Sequence, residues 1–285
     1  MPYIELNDTK LFYVLHKLSE NGINYEDAKN IVLIHGAGAN HLSMLSIFNY
    51  IKKKFGKSCN ILVPDLPFHF RSARKNAAGV NSFISEKEGM PLYAETVNVL
   101  ASKLFEKNKK VLLIGHSMGA QVCMKYAFLF PENVEKIMVI AGCHNTGISG
   151  AFIKSLESSF DRTIMLFLKD ALNSRDKNIL NNALSDIKRT PDETVINDFK
   201  YSKYYGDYCR EDLDEINRRK IFFHIIYSKK DLIVAGECAL ELHKKLENST
   251  IDEITAKNHV DFLYGNYWTE KEIDKFLLTQ TPIKL

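Results

Sequence analysis

Residues 109–127, KKVLLIGHSMGAQVCMKYA, contain one serine between a strand pattern and a helix pattern. The apolar run VLLI stops at Gly115, and helical periodicity begins after Gly119. A Gly-x-Ser-x-Gly turn between a strand and a helix is so tight that flanking side chains would clash, and it leaves the serine exposed above the sheet. The helix N-terminus supplies partial positive charge and free backbone N–H groups at that point. We therefore interpret Ser117 as a nucleophile at a nucleophile elbow rather than as part of a purely structural turn.

Short apolar runs alternate with amphipathic segments along the rest of the chain. A β-hairpin is predicted at residues 3–14. Buried strands are predicted at residues 31–34, 61–63, 111–114, 137–140, 221–227 and 251–255. Helices are predicted at residues 41–53, 91–105, 121–130, 237–246 and 269–278. Strands that alternate with helices indicate an α/β fold with a mostly parallel sheet and helices on both faces.

The alternation breaks between Cys143 and Arg219. This stretch contains no convincing strand pattern and predicts three helices, at residues 150–172, 176–187 and 191–205. We expect a core formed by residues 1–143 and 220–285, with residues 144–219 inserted as a helical cap. Large side chains of the insertion are candidates for the substrate pocket: Phe152, Phe160, Met165, Phe167, Phe199, Tyr201 and Tyr205.

The composition is ordinary for a globular protein and excludes several classes. The 285 residues are 45% hydrophobic and 26% charged. A net charge of +3 is too small to indicate nucleic acid or an anionic membrane as the main partner. No segment reaches the roughly 20 apolar residues that span a bilayer, and the N-terminus lacks the pattern of a signal peptide. We expect a cytoplasmic protein that binds no nucleic acid and does not insert into a membrane.

A serine hydroxyl needs a base, usually a histidine, and nine histidines compete for this role. His116 adjoins the serine, but at such an elbow its side chain should point away. Four others fall within predicted strands or helices: His16, His41, His224 and His243. His259 lies in the loop after the last predicted strand, at the edge of the sheet where the sites of open α/β sheets gather. His259 is therefore the predicted base.

A carboxylate must orient that histidine. Asp231 directly follows the penultimate predicted strand, which brings it to the same edge of the sheet as His259. Asp261 is the second candidate for this carboxylate. Asp252 is also near His259 in the sequence, but it falls inside a strand pattern. The resulting chain order of Ser117, Asp231 and His259 is the order described for α/β-hydrolases.

On its motifs the chain resembles the α/β-hydrolase superfamily from Tyr3 to Leu278. The resemblance rests on LIHGAG at residues 33–38, VPDLP at 63–67, GHSMG at 115–119, Asp231 and His259. It implies an α/β-hydrolase fold with a mostly parallel eight-stranded sheet and a helical cap. By motif position it also implies that the backbone N–H groups of Ala37 and Met118 form the oxyanion hole.

The sequence departs from this family after residue 67. Similar proteins usually continue with Gly-His-Gly-x-Ser, whereas here both glycines are replaced, by Phe68 and Phe70. Because loop glycines normally supply positive φ angles or close approach, we expect this loop to take another path. Phe68 and Phe70 could contact an apolar substrate at the mouth of a pocket, or they could pack under the cap. The candidate residues of the substrate pocket are His35, Gly36, Phe68, Phe70, Phe167 and Tyr201.

The sequence thus predicts a serine hydrolase that cleaves an ester or related acyl bond of a small, apolar substrate through an acyl-enzyme. A C–C bond hydrolase or a thioesterase on the same triad stays open, and so does a small-molecule receptor with vestigial activity. The predicted chemistry needs no cofactor. The five cysteines are scattered and form no Cys-x-x-Cys pair, so no zinc site or disulfide framework is indicated. The expected partner is a small-molecule acyl substrate, and no oligomeric state is predicted.

Overall fold

The computed structural model describes residues 2–6, 9–18, 28–74, 84–105 and 110–279. One sheet runs in the order β1-β2-β4-β3-β6-β7-β8-β9, and a two-residue strand, β5, pairs with β2. The strands are β1 Tyr3–Leu6, β2 Thr9–His16, β3 Lys29–Ile34, β4 Cys59–Pro64, β5 Ala73–Arg74, β6 Val111–His116, β7 Val134–Ile140, β8 Phe222–Tyr227 and β9 Ser249–Glu253. The three pairs that include β2 are antiparallel, and all the others are parallel. The predicted eight-stranded, mostly parallel sheet is confirmed, with β5 as an addition; the predicted hairpin turn at residues 7–8 lies outside the described residues.

Helices cover both faces of the sheet. They are α1 Leu45–Phe55, α2 Glu86–Leu104, α3 Met118–Leu129, α4 Gly150–Ser158, α5 Phe160–Ala171, α6 Lys177–Ile187, α7 Asp192–Tyr208, α8 Arg210–Arg218, α9 Gly236–Lys245 and α10 Tyr267–Leu278. One apolar core joins the sheet to α2, α3, α8 and α9, and a second joins it to α1 and α10. A third, smaller apolar cluster belongs to the insertion, residues 144–219. Within the described residues, no helix combines the length and apolarity that a membrane crossing needs.

Two helix predictions were wrong at their N-terminal ends. The predicted helix at residues 91–105 starts at Glu86, because Ser85 and Glu88 cap it: the Ser85 backbone N–H and hydroxyl both donate to the Glu88 carboxylate, over 3.1 Å and 2.6 Å. Pro91 therefore lies inside the helix and does not begin it. The predicted helix at residues 41–53 begins as a 3₁₀ turn, His41–Met44, and continues as α1.

The insertion contains five helices, α4 to α8, where three were predicted. The predicted helix at residues 150–172 is broken at Ser159, whose φ of −154° and ψ of 67° are not helical. Helix α8 was missed because its sequence, REDLDEINR, is mostly charged. Its two apolar side chains, Leu213 and Ile216, are both buried, which explains why the segment folds as a helix against the core.

Candidate active site

Ser117 lies between β6 and α3 in a strained backbone conformation, with a φ of 53° and a ψ of −122°. Its glycine neighbours are required by close backbone approach. A Cβ atom on Gly115 would lie 2.3 Å from the carbonyl oxygen of Gly119, and one on Gly119 would lie 2.3 Å from the carbonyl oxygen of Ile34. The strand–turn–helix geometry read from the sequence is therefore present, and the strain is held by the packing around it.

Replacement of Gly119 by alanine is expected to lower the free energy of unfolding by about 3 kcal/mol or more, since the new methyl group meets backbone that cannot move aside. Urea unfolding monitored by circular dichroism measures the loss. Gly150→Ala is the matched control, because no atom lies within 4 Å of a Cβ at that position. Equal stabilities of the two variants would contradict this account of the elbow.

Ser117, His259 and Asp231 form an unbroken hydrogen-bonded chain. Nε2 of His259 lies 3.0 Å from Oγ of Ser117, and Nδ1 of His259 lies 2.7 Å from Oδ2 of Asp231. The other carboxylate oxygen of Asp231 accepts hydrogen bonds from the N–H groups of Ile233 and Val234, at 2.8 Å and 3.0 Å. The carboxylate is thus oriented by its own loop, and it favours the histidine tautomer that leaves Nε2 free to accept a proton from the serine.

The two competing aspartates are engaged elsewhere. The Asp261 carboxylate accepts from the backbone N–H of Lys257 at 2.8 Å and from the side chain of Asn266 at 3.1 Å. Asp252 pairs with Lys275 at 2.5 Å. In this geometry Asp231 is the carboxylate that contacts the His259 ring.

His116 and the insertion hold the main chain of His259. Nε2 of His116 donates to the carbonyl oxygen of His259 at 3.0 Å, and the N–H of His259 donates to the carbonyl oxygen of Ala171 in α5 at 3.1 Å. Burial, followed by the proximity of His259, lowers the pKa of His116 to about 3, so its ring is neutral. The sequence did not single out His116 as a support for His259; its position beside the serine was the available signal.

A tight turn at residues 36–39 faces the serine. The N–H of Ala39 donates to the carbonyl oxygen of Gly36 at 3.2 Å, and Nδ1 of His35 lies 2.9 Å from the same oxygen. In a trans peptide the C=O and N–H point in opposite directions, so the contacts of the Gly36 oxygen are one restraint on the direction of the Ala37 N–H. A Cβ on Gly36 would lie 3.1 Å from Cβ of Ser117, so a larger residue at this position would require the serine to shift.

The N–H groups of Ala37 and Met118 are available to a ligand. Neither donates a hydrogen bond to any other residue in the described part of the chain. Met118 is the first residue of α3, where backbone N–H groups have no partner within the helix. Both residues line the same cavity as Ser117 and His259.

This cavity has a volume of about 890 Å³ and extends from Ser117 into the insertion. Its apolar lining from the insertion includes Phe152, Phe167, Leu168, Leu172, Ile187 and Phe199. Of the large insertion side chains suggested by the sequence, four do not line it: Phe160, Met165, Tyr201 and Tyr205. Of the pocket residues predicted, Gly36 and Phe167 line the cavity.

His35 and Tyr201, also predicted for the pocket, are buried elsewhere. Nε2 of His35 accepts from the N–H of Leu66 at 3.1 Å, which makes this histidine a support for the turn. Burial lowers its pKa to about 4. The Tyr201 ring fills the space above Gly89, where a Cβ would lie 2.1 Å from the ring, so this tyrosine packs the insertion onto α2.

Phe68 and Phe70 also lie outside the cavity lining. Their φ angles are 71° and 37°, so both take the left-handed conformation that favours glycine. The reason given for expecting another path of this loop, the loss of positive φ angles with the glycines, was therefore wrong. The Phe70 ring stacks on His41 at 5.8 Å and contacts the guanidinium groups of Arg71 and Arg189 at 5.3 Å and 5.4 Å. These ring contacts place the Phe70 side chain outside the lining of the cavity.

A second buried Asp–His pair, missed at the sequence level, adjoins the turn. Asp198 in α7 contacts His69 and Tyr93, and all three side chains are buried. The sequence contained one indication of this pair: Asp198 is a charged residue on the apolar face of α7, between the buried residues Val195 and Phe199.

Among the described residues, His224, Asp252 and Glu272 have the chemistry and proximity of metal ligands, with their donor atoms within 4.8 Å of one another. The ammonium group of Lys275 already lies 2.5 Å from Asp252 and 3.4 Å from Glu272. This lysine supplies the positive charge that a metal ion would bring, so the cluster is an ion-pair network and we assign no metal to it.

Comparison with known proteins identifies the class. The family model described as "alpha/beta hydrolase fold" matches residues 29–185. The chain is 23% identical over 269 residues to the "Uncharacterized hydrolase YugF" of Bacillus subtilis, covering 86% of this chain and 91% of that protein. It is 36% identical over 110 residues to a "Putative esterase/lipase" of Haemophilus influenzae, covering 39% of this chain and 33% of that protein. The solved esterase EaEST from Exiguobacterium antarcticum has a TM-score of 0.73 at 17% identity, with 97% of this chain and 99% of that one covered.

The chain therefore belongs to the alpha/beta hydrolase fold family, and the resemblance read from its motifs is confirmed.

Proposed function

We propose that the protein is a serine hydrolase that cleaves carboxylic esters with an apolar acyl group through an acyl-enzyme. The observation that carries this proposal is the hydrogen-bonded chain from Asp231 through His259 to Ser117 at the floor of a largely apolar cavity. The similarity to proteins named esterase or esterase/lipase supports ester hydrolysis in general.

In the proposed reaction, Nε2 of His259 takes the proton of Ser117 while Oγ bonds to the acyl carbon. The electron pair of the C=O bond moves to the carbonyl oxygen, and the N–H groups of Ala37 and Met118 stabilise this oxyanion, each by about 3 kcal/mol. Asp231 stabilises the imidazolium. Collapse of the intermediate expels the alcohol, which receives the proton from His259. Water, deprotonated by His259, then attacks the acyl carbon. Collapse of this second intermediate breaks the bond to Oγ and releases the carboxylic acid, while His259 returns the proton to Ser117.

The test is turnover of p-nitrophenyl esters and matched thioesters of rising acyl length, together with fluorophosphonate labelling and peptide mapping. We expect ester turnover and one labelled site, Ser117. Turnover confined to thioesters would replace the ester assignment. Rates near background on every acyl compound, with tight retention of one small molecule, would favour a receptor.

We further propose that the insertion acts as a cap that sets acyl selectivity. Phe167 lines the cavity and packs edge-on against Phe199 at 5.3 Å between ring centroids. Burying a methylene contributes about 0.8 kcal/mol, so kcat/KM should rise about fourfold per methylene until the cavity is full.

Phe167→Ala is expected to move the acyl-length optimum to longer chains, with about a fourfold gain in kcat/KM for each further methylene that the enlarged cavity accepts. Measuring kcat/KM across the ester series tests this. Tyr208→Ala is the control, because Tyr208 is an aromatic residue of α7 that is 67% exposed and lies outside the cavity. An unchanged length profile for Phe167→Ala would make the insertion a scaffold only.

A further inference from the structure

Asp198 is a carboxylate of the insertion with no exposure to solvent. Its Oδ2 accepts hydrogen bonds from the backbone N–H of Gly38 at 2.7 Å and from Nε2 of His69 at 2.8 Å, and its Oδ1 accepts from the hydroxyl of Tyr93 at 2.7 Å. Hydrogen bonds to an ionised carboxylate are about twice as strong as neutral ones. One side chain of α7 therefore joins the insertion to the turn after β3, to the loop after β4 and to α2.

Both ring nitrogens of His69 have hydrogen-bond partners. Nδ1 of His69 faces the carbonyl oxygen of Pro67 at 3.0 Å, and Nε2 faces Asp198. The Pro67 oxygen can only accept, so Nδ1 carries a proton. Burial by itself lowers the pKa of His69, but the charge and the hydrogen bond of Asp198 outweigh burial and raise it. His69 and Gly38 therefore share one carboxylate oxygen, Oδ2 of Asp198.

The bond to Gly38 acts on the turn that carries Ala37. Gly38 has a φ of 65°, and a Cβ on it would lie 3.1 Å from Cγ1 of Val195 in α7. Ala37 itself packs against the apolar cluster of the insertion. The peptide between Ala37 and Gly38 is thus held from the insertion, whereas the preceding peptide is held from the core through the Gly36 oxygen. With both peptide planes fixed, the φ and ψ angles of Ala37 are fixed as well.

We infer that Asp198 is a positioning residue for the oxyanion hole. Through the N–H of Gly38 it holds the N–H of Ala37 towards the place where the substrate oxygen becomes negative, so a complete hole requires the insertion to be seated on the core. The inference rests on the proposed function, because it takes the Ala37 N–H as an oxyanion donor. The insertion also bonds the His259 loop, since the side chain of Asn258 donates to the carbonyl oxygen of Leu172 at 2.9 Å.

Asp198→Asn tests the inference. The amide has nearly the size of the carboxylate, but it lacks the charge and directs an N–H₂ group at one of the donors. We expect kcat to fall about 10- to 100-fold, somewhat less than on complete removal of an oxyanion donor, with KM within about threefold. The affinity for a trifluoromethyl ketone, whose adduct with Ser117 carries an oxyanion, should fall by a similar factor. Hydrogen exchange at residues 36–39 should become faster.

Asp212→Asn is the matched control for a purely structural role. Asp212 is another buried carboxylate of the insertion, paired at 2.7 Å with Lys125 of the core, and it lies outside the cavity lining. Its substitution should lower Tm while leaving kcat, KM and ketone affinity within about twofold. The same pattern in Asp198→Asn would overturn the inference.

Wild-type ester turnover combined with an unaffected kcat in Asp198→Asn would overturn this inference alone, whereas absence of turnover in the wild type would overturn it together with the proposed function. If Asp198→Asn fails to fold, Tyr93→Phe takes its place, because it removes one of the hydrogen bonds that hold the Asp198 carboxylate and leaves Asp198 itself unchanged. Faster exchange at residues 36–39 and a severalfold lower kcat are expected; unchanged values would overturn the inference.

Discussion

Replacement of Ser117 by alanine is expected to abolish fluorophosphonate labelling and to lower kcat for esters by about 10⁶-fold, the effect of removing the nucleophile from other triads. The reason is chemical: without Oγ no acyl-enzyme forms, although the cavity and the N–H groups of Ala37 and Met118 remain. Ser117 already has a φ of 53°, and alanine takes the same backbone at similar cost, so Tm should change by only a few degrees. Steady-state kinetics, labelling and thermal unfolding measure the three quantities.

Ser155→Ala is the matched control for this variant. Ser155 lines the same cavity, but its hydroxyl donates to the carbonyl oxygen of Ala151 at 3.0 Å and has no contact with His259. Its loss should leave kcat within about twofold and labelling intact, as for most substitutions of exposed residues. Labelling that persists in Ser117→Ala would show that the nucleophile lies elsewhere.

The second large effect is expected at Asp231. Asp231→Asn should lower kcat by about 10⁴-fold, because an amide N–H₂ facing Nδ1 of His259 favours the tautomer that carries its proton on Nε2, the atom that must accept the proton of Ser117. The amide oxygen can still accept from the N–H groups of Ile233 and Val234, so the loop should stay folded. The measurement is kcat with a p-nitrophenyl ester, accompanied by Tm.

Asp261→Asn is the control, since its carboxylate bonds Lys257 and Asn266 and not the His259 ring. We expect at most a severalfold change in kcat for this variant. If Asp261→Asn lowered kcat strongly while Asp231→Asn left it nearly unchanged, Asp261 would be the carboxylate that acts on His259.

The fold and the position of the serine were predictable because their signals are local. Within a few residues, the apolar run at 111–114 indicates a strand, Gly115 and Gly119 indicate a tight turn, and the pattern after Gly119 indicates a helix. Asp231 and His259 needed one more step, the rule that parallel strands end at the same edge of a sheet, and β8 and β9 do lie side by side. The helix boundaries that failed did so where a cap at Ser85 or a break at Ser159 overrode the periodic pattern.

Short-range periodicity and strand order therefore specify the α/β architecture, the elbow and the three residues that meet there. Which side chains line the cavity and which support its walls depends on tertiary packing. Gly38 and Asp198 are 160 residues apart, and their contact depends on how the insertion packs on the core. Helical periodicity reports that one face of α7 is buried, but it carries no information about the surface that this face meets. Tyr201 and Phe167 show the same limit, because both are large aromatic residues on helices of the insertion. Tyr201 packs on α2, whereas Phe167 lines the cavity.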